Sequence, residues 1–341
     1  MSKLVDHLAE LTGFRDRDVL DVTLAGAFRD LLRPRSVAIY RTVGEGGNQR
    51  WLTRARLCEN DVVATADPAW VELESLPVLT DHPERCEALT GRTVVASFGD
   101  RGLSVFPLAT DREVAGVLEL ETDGPLNTEA QRMVCSILRI YRNFQGLLDY
   151  SERDTLTGLL NRKTFDESFL KVSSTILAHG ASGDARRAAG PGSRHWLGMI
   201  DIDHFKAVND TYGHLIGDEV LLLLSRLMRS SFRFHDRLYR FGGEEFVVLM
   251  RCDSETDASH AFERLRVNTE GYAFPQVGRI TVSVGFSEVK PGDSPSSAIE
   301  RADRAVYHAK SHGRNQVQSH AELVKRGELD DSEKVGDVEL F

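Results

Sequence analysis

Cysteine is scarce in this chain. Its four residues, Cys58, Cys86, Cys135 and Cys252, lie far apart and form no CxxC pair. They read as free buried thiols in a reducing compartment. An excess of basic residues is missing too: the formal net charge is -10. A protein that grips nucleic acid by its phosphates is normally basic, so general DNA or RNA binding is disfavoured, although a local basic pocket for one nucleotide is compatible with this balance. No run approaches the roughly 18 apolar residues of a membrane span. The opening MSKLVDHLAELTGFRDRD is charged throughout and has no apolar signal core. These absences predict a cytoplasmic chain without nucleic-acid binding or membrane insertion. What is present, 341 residues with 41% hydrophobic and 28% charged content, is enough for two domains with ordinary cores.

Apolar residues recur at helical spacing over residues 3–33 (Leu4, Leu8, Leu11, then Leu20, Val22, Phe28, Leu31 and Leu32). Five β-branched, alternating segments follow: SVAIYRT, RWLTRARL, TVVASF, GLSVFPLA and EVAGVLEL. Helix, meander and closing helix predict a first α+β domain over 1–126. In the next segment, 127–153, Met133, Ile137, Ile140, Phe144 and Leu147 step by four, three, four and three. That is a heptad seam. It reads either as a two-chain connector or as a helix lying on its own domain, and its place between two domains favours the connector.

The second domain is expected over 154–320. A helix near 163–177 leads to AHGASGDARRAAGPGSRH, read as a flexible loop. The strand WLGMIDID, the helix DEVLLLLSRLMRSSF, the hairpin RLYRFGGEEFVVLM, a helix near 257–267 and the strand RITVSVGFSEV make a βαββαβ core. A last helix, PSSAIERADRAVYHAKSHG, follows. The polar tail, 321–341, is expected to be disordered.

Gly242-Gly243 between two strand-like arms signals a two-residue hairpin, because such turns need positive φ. Glu244 and Glu245 follow at once, and MIDIDHF ends another strand in Asp201 and Asp203, which alternate onto one face. If the strand pairs with the hairpin, Asp201 and Glu244 converge. Carboxylates without a cation are costly to gather. Hard divalent cations take such oxygens, and Mg²⁺ commonly binds one or two carboxylates plus substrate phosphates. Lys206, Asn209 and Asp218 lie downstream. An Asp acceptor suits the N1–H and exocyclic amine of guanine, while Asp218 also reads as a helix N-cap. Lys310 and Arg314 close the last long helix, where cations suit its dipole or could hold phosphates.

The strings DTLTGLLNR, DIDHFKAVNDTYGHLIGDEVL, RFGGEEF, SVGFS and ADRAVYHAKSHGRN together resemble the GGDEF family of diguanylate cyclases, in its order and over about 154–317. The resemblance implies a ferredoxin-like, nucleotide-cyclase-like fold and synthesis of cyclic di-GMP from two GTP, with pyrophosphate released. It implies Mg²⁺, with Mn²⁺ as a substitute. Asp201, the carbonyl of Ile202, Glu244 and Glu245 are the implied metal ligands. Glu244 is the implied proton acceptor for the attacking 3′-hydroxyl, and Lys206 the cation on the transferring phosphoryl. Phe205, Asn209, His214 and Asp218 are implied contacts to guanine and ribose, and Lys310 and Arg314 to the triphosphate. One GTP site per domain and two nucleotides in the product imply a homodimer, held by the first domain and helix 128–153.

Arg233 and Asp236 form an RxxD pair five residues before the hairpin, which in this family marks an inhibitory site for cyclic di-GMP; Arg240 is grouped with it. GLSVFPLATDREVAGVLEL resembles the strand pair of GAF domains, implying a GAF-like sensor that binds a small ligand or dimerises; a PAS-type sensor is the alternative. His7 and His82 are isolated and carry no metal reading. Two other classes compete with the enzyme: a silent domain that receives GTP or cyclic di-GMP, and a purely structural dimerisation module. The latter leaves Asp201, Lys206, Asp218 and the two glutamates unexplained. Class III nucleotide cyclases share the core but lack the GGEEF turn.

Overall fold

The structure is a computed structural model. It describes residues 2–330 except 15, 45, 69–70, 100, 110–113 and 182–193. Two compact units divide the chain, Met1–Ser151 and Glu152–Phe341. Most of the predicted flexible loop, and residues 331–341 of the predicted disordered tail, lie outside the described residues.

The first unit begins with α1 (Ser2–Gly13) and α2 (Arg17–Leu32), two helices where the sequence pattern is continuous. Strands β1 (Ser36–Val43) and β2 (Arg50–Cys58), helix α3 (Pro83–Gly91), strands β3 (Val95–Phe98), β4 (Gly102–Ala109) and β5 (Val114–Thr122), and helix α4 (Thr128–Glu152) follow. All five predicted strands form, but not as a simple meander. The antiparallel order is β2-β1-β5-β4-β3, which sets β1 beside β5. Alternation explains why both faces are covered. Val37 and Ile39 of β1 pack with Leu24 and Phe28 of α2 and Ile137 of α4. Ala38 and Tyr40 face Trp51 and Ala88 of α3. Helix α3 escaped the sequence reading because its nine residues are too few for a periodic signal.

The heptad expectation for α4 is corrected in register. Its buried residues are Val134, Ile137, Tyr141, Gln145 and Leu148, turned inward onto the unit's own sheet. Of the predicted seam only Ile137 is buried; Leu147 is 67% exposed and Ile140 37%. A helix of 3.6 residues per turn presents 134/137/141/145/148 as one stripe, and the predicted seam is its flank. The thiols are free, as expected, yet none is fully buried and Cys135 is exposed.

The second unit comprises β6 (Leu160–Asn161), α5 (Arg162–Ala181), β7 (Arg194–Ile202), α6 (Phe205–Tyr212), α7 (His214–Ser231), β8 (Arg237–Gly242) and β9 (Glu245–Cys252). There follow α8 (Glu255–Gly271), β10 (Ala273–Phe274), β11 (Gly278–Arg279), β12 (Val282–Glu288), α9 (Pro295–Ser311), β13 (Val317–Ser319) and α10 (His320–Lys325). The expected βαββαβ core is present as β12-β7-β9-β8, extended by β13 and β6 to six strands. Ile200, Phe246, Val248 and Val284 pack under α7 and α8. Met199, Val247 and Leu249 pack with α5 and α9 on the other face. The tail expected to be disordered from 321 is ordered at its start. Leu323 of α10 is fully buried, and Ser319 caps the helix by accepting the Glu322 N–H.

Candidate active site

Strand register assembles the carboxylates. β7 pairs with β9 so that Asp201 stands directly opposite Glu245, and with β12 so that Ser283 flanks Asp201 on the other side. The hairpin turn lies one residue later than the sequence reading puts it. Gly242 pairs with Glu245 across a bulge at Phe241, leaving Gly243 and Glu244 as the loop. Gly242 and Gly243 have φ of +145° and +52°, conformations that L side chains rarely adopt. Glu244 therefore occupies the tip of the turn, and Glu245 is the residue in register with Asp201.

Helix α9 brings Lys310 into this cluster. Its Nζ lies 2.7 Å from Asp201 Oδ2. That corrects the premise of carboxylates without a cation: the residue expected to hold phosphate neutralises Asp201 here. The pairing is incomplete, because Asp201 is 6% exposed and its Oδ1 is buried without a hydrogen-bond partner. Burial raises the Asp201 pKa, partly offset by Lys310. Burial and the Asp201 charge raise both Glu244 and Glu245, with Asp303 of α9 adding to the repulsion at Glu245.

This donor set fits a hard divalent cation. The orphaned Asp201 oxygen and the neighbouring glutamates are anionic oxygens of the kind such ions take. Ile202 closes β7 with its side chain in the core, so only its carbonyl is left to serve as a ligand. Among the described residues no three His, Cys, Asp or Glu side chains converge as a ready cage. A cation would complete its shell with substrate or water oxygens, the usual habit of Mg²⁺.

The expected substrate residues sit on the elements that follow β7. Lys206 is exposed on α6, and Asp218 is exposed on α7. Asp218 is the fifth residue of α7 and no N-cap; Gly213 holds that place and His214 begins the helix. Asn209 lies over Gly217, where a Cβ would come within 2.0 Å of its Oδ1, so a larger residue there would displace the Asn209 side chain. Phe205 is 5% exposed and packs in the core, shaping the site rather than lining open surface. Arg314 lies beyond α9 in a left-handed turn, φ +62°. A cleft of about 550 Å³ lies against Ala207, Thr211 and Tyr212 of α6 and Ile280; none of the predicted substrate residues lines it.

The RxxD pair lies just before β8, at the end opposite the GGEE turn, and β8 itself spans roughly 17 Å between them. Arg233 is exposed, while Asp236 turns inward, its Oδ2 accepting the Arg233 N–H at 2.9 Å. Burial pushes Asp236 up to about 6 despite the nearby Arg233 and Arg264 cations. Arg264 of α8 was not singled out in the sequence, since nothing local marks it among the helix's other charges. Arg240, grouped with this pair in the sequence, makes its hydrogen bonds away from this loop. It donates to both Asp154 carboxylate oxygens at 3.1 and 3.2 Å, and to the Gly243 carbonyl at 2.9 Å. Burial works against the Asp154 charge, but donation from Thr157 and Arg240 holds its carboxyl below the usual range.

Comparison with known proteins covers the segment that holds these residues. Residues 151–316 match the family model described as "Diguanylate cyclase, GGDEF domain". The chain is 37% identical over 181 residues to the response regulator PleD of Caulobacter vibrioides, covering 51% of this chain and 37% of that protein. It is 37% identical over 168 residues to the diguanylate cyclase DgcZ of Escherichia coli, covering 48% of this chain and 52% of that one. The crystal structure of the coiled coil and GGDEF domain of DgcB from Caulobacter crescentus, in complex with c-di-GMP, aligns at 29% identity and a TM-score of 0.48. It covers 56% of this chain and 97% of that one. The chain thus spans about half or less of the curated relatives named here. Residues 151–316, with their carboxylates in register at the GGEE turn, carry a GGDEF domain.

Proposed function

We propose that the chain is a diguanylate cyclase that condenses two GTP into cyclic di-GMP and releases pyrophosphate. The observation that carries this reading is the cross-strand set of Asp201, Glu245 and Glu244, with an orphaned buried oxygen, beside the cationic end of α9. Asp201, Glu244, Glu245 and the Ile202 carbonyl would hold Mg²⁺, or Mn²⁺ in its place. Bound there, the ion neutralises charge on the transferring phosphoryl group. Glu244 takes the proton of the attacking 3′-hydroxyl. Lys206, Lys310 and Arg314 balance the triphosphate. For Lys310 this would mean giving up its 2.7 Å contact with Asp201 in favour of phosphate. Asn209, His214 and Asp218 meet guanine and ribose.

Two domains must face each other for one product, so the working form is a homodimer. Supporting this, α4 keeps Ile140, Leu147 and Tyr150 exposed after its inner face is used. Cyclic di-GMP acts back at Arg233 and Asp236, with Arg264 close to them. The first unit is the GAF-like sensor, consistent with its five-stranded sheet between helices. No helix among the described residues is long and apolar enough to cross a membrane, and the nucleotide substrate fits a cytoplasmic enzyme.

The test is incubation of the purified protein with GTP and Mg²⁺ beside Glu244→Ala, with cyclic di-GMP followed by mass. Product from the wild type alone supports the cyclase. No product from either, with nucleotide still bound, replaces the enzyme by a receptor. Arg233→Ala that remains inhibited by product removes the feedback reading.

A further inference from the structure

Asp203 shares a strand face with Asp201 in the sequence pattern, yet the structure gives the two different partners. Asp203 is 5% exposed. Its Oδ1 accepts the Ser283 hydroxyl at 2.6 Å. Its Oδ2 accepts the Thr281 hydroxyl at 2.7 Å and the Asn315 backbone N–H at 3.0 Å. Its own N–H donates to the Thr281 carbonyl at 3.0 Å. A carboxylate filled this way by neutral donors has little left for a metal.

The far end of the link is strained. Arg314 and Asn315 both have positive φ, +62° and +46°, directly after Gly313. Consecutive non-glycine residues in this region persist only where their surroundings over-determine them. Here they do. Asn315 Oδ1 accepts from Arg266 at 2.9 Å, and its Nδ2 donates to Glu270 at 2.9 Å. The Arg314 N–H donates to the Ala309 carbonyl at 2.9 Å, tying the turn to the end of α9.

We infer that Asp203 and Asn315 form a positioning clamp that fixes the triphosphate-facing groups relative to the carboxylate cluster. Three segments meet at Asp203: the end of β7 that carries Asp201, the His204 turn (φ +58°) that launches Lys206, and the turn that carries Arg314. Both clamp residues border the cleft beside α6, and neither is among the groups assigned to the substrate. Both act through the placement of Lys206, Lys310 and Arg314. The inference rests on the cyclase reading for what those cations bind.

The variants Asp203→Asn and Asn315→Gly test it. The first keeps volume but replaces one acceptor edge with a donor. The second keeps the left-handed turn and deletes the side-chain anchors. Each is expected to raise KM for GTP about tenfold while kcat stays within about threefold, because binding geometry is loosened and the proton acceptor is untouched. Tm should fall by no more than about 5 °C. The double variant should cost little more than the worse single one, since Asp203→Asn removes the acceptor of the Asn315 N–H and Asn315→Gly the anchors of the same turn, so both loosen one element. An unchanged KM with a lowered Tm overturns the clamp and leaves a structural carboxylate. A collapse of kcat with a changed Mg²⁺ requirement also overturns it, by making Asp203 a metal ligand. If the wild type makes no cyclic di-GMP, the cyclase reading fails by itself. The clamp is then read from calorimetric GTP affinity, where equal Kd in wild type and variants, or no binding by the wild type, removes it.

Discussion

In the first unit, buried charges find each other. Arg85 donates to both Glu119 carboxylate oxygens at 2.6 and 2.9 Å, and its guanidinium lies 3.5 Å from the centre of the Tyr40 ring. Asp21, 3% exposed, accepts from Arg41 at 3.0 Å and from the Tyr141 hydroxyl, which in turn accepts from Gln145 at 2.6 Å. In the second unit, the charges at the GGEE turn do not balance. Asp201 keeps a buried oxygen without a partner, and the carboxylates around it repel one another. The contrast separates two uses of buried polarity. A pair closed on itself fixes how elements pack, and an open cluster lowers stability until a ligand arrives.

The sharpest way to break the comparison is Glu119→Ala. It leaves Arg85 buried and uncompensated and is expected to cost about 3–5 kcal/mol in urea denaturation. A cost below about 1 kcal/mol would mean that the first unit's closed pair is dispensable. Ligand addition probes the open cluster. Mg²⁺ with a non-hydrolysable GTP analogue at a hundred times Kd should stabilise the second unit by about 2.7 kcal/mol. Thermal unfolding should move only the transition of that unit.

The buried Asp236 has a smaller effect with a definite sign. Its folded pKa of about 6 lies above its ordinary 3.8. The folded state therefore binds more protons between those values, and stability falls as pH rises through that window. Asp236→Asn should gain about 1–3 kcal/mol over wild type at pH 7, with the gain gone near pH 3.5. Urea titrations at the two pH values check it. The smallest effect belongs to the exposed flank of α4. Leu147→Ser should change the stability of the folded monomer by less than about 0.5 kcal/mol. In sedimentation it should shift the chain from dimer towards monomer, and an unchanged dimer would move the interface elsewhere.

Much of the site is legible along the chain because its pieces are local. The Gly-Gly turn, the apolar strand ending in Asp201 and the helix carrying Lys310 each announce themselves by residue type and spacing. What escapes is whatever depends on residues distant in sequence. Arg240 sits beside the RxxD pair in sequence, yet its partners are Asp154, 86 positions away, and the Gly243 carbonyl. Asp218 looks like a cap because a glycine precedes it, but Gly213 caps the helix more than a turn earlier. The α4 seam shows the same limit. A helix with apolar residues on neighbouring stripes has two candidate faces, and only the sheet against it selects one.

By itself, the sequence determined the five strands of the first unit, the βαββαβ core of the second, the GGEE turn and the set of charged residues available for chemistry. These follow from periodicity, turn stereochemistry and composition, which act over a few residues. Tertiary structure alone decided that Glu245 rather than Glu244 stands opposite Asp201, that Lys310 neutralises one Asp201 oxygen and leaves the other bare, and that Asp203 fastens to Asn315. Those outcomes depend on strand register and on where a helix ends in space. A shift of one residue in either would change the partner of every carboxylate in the site.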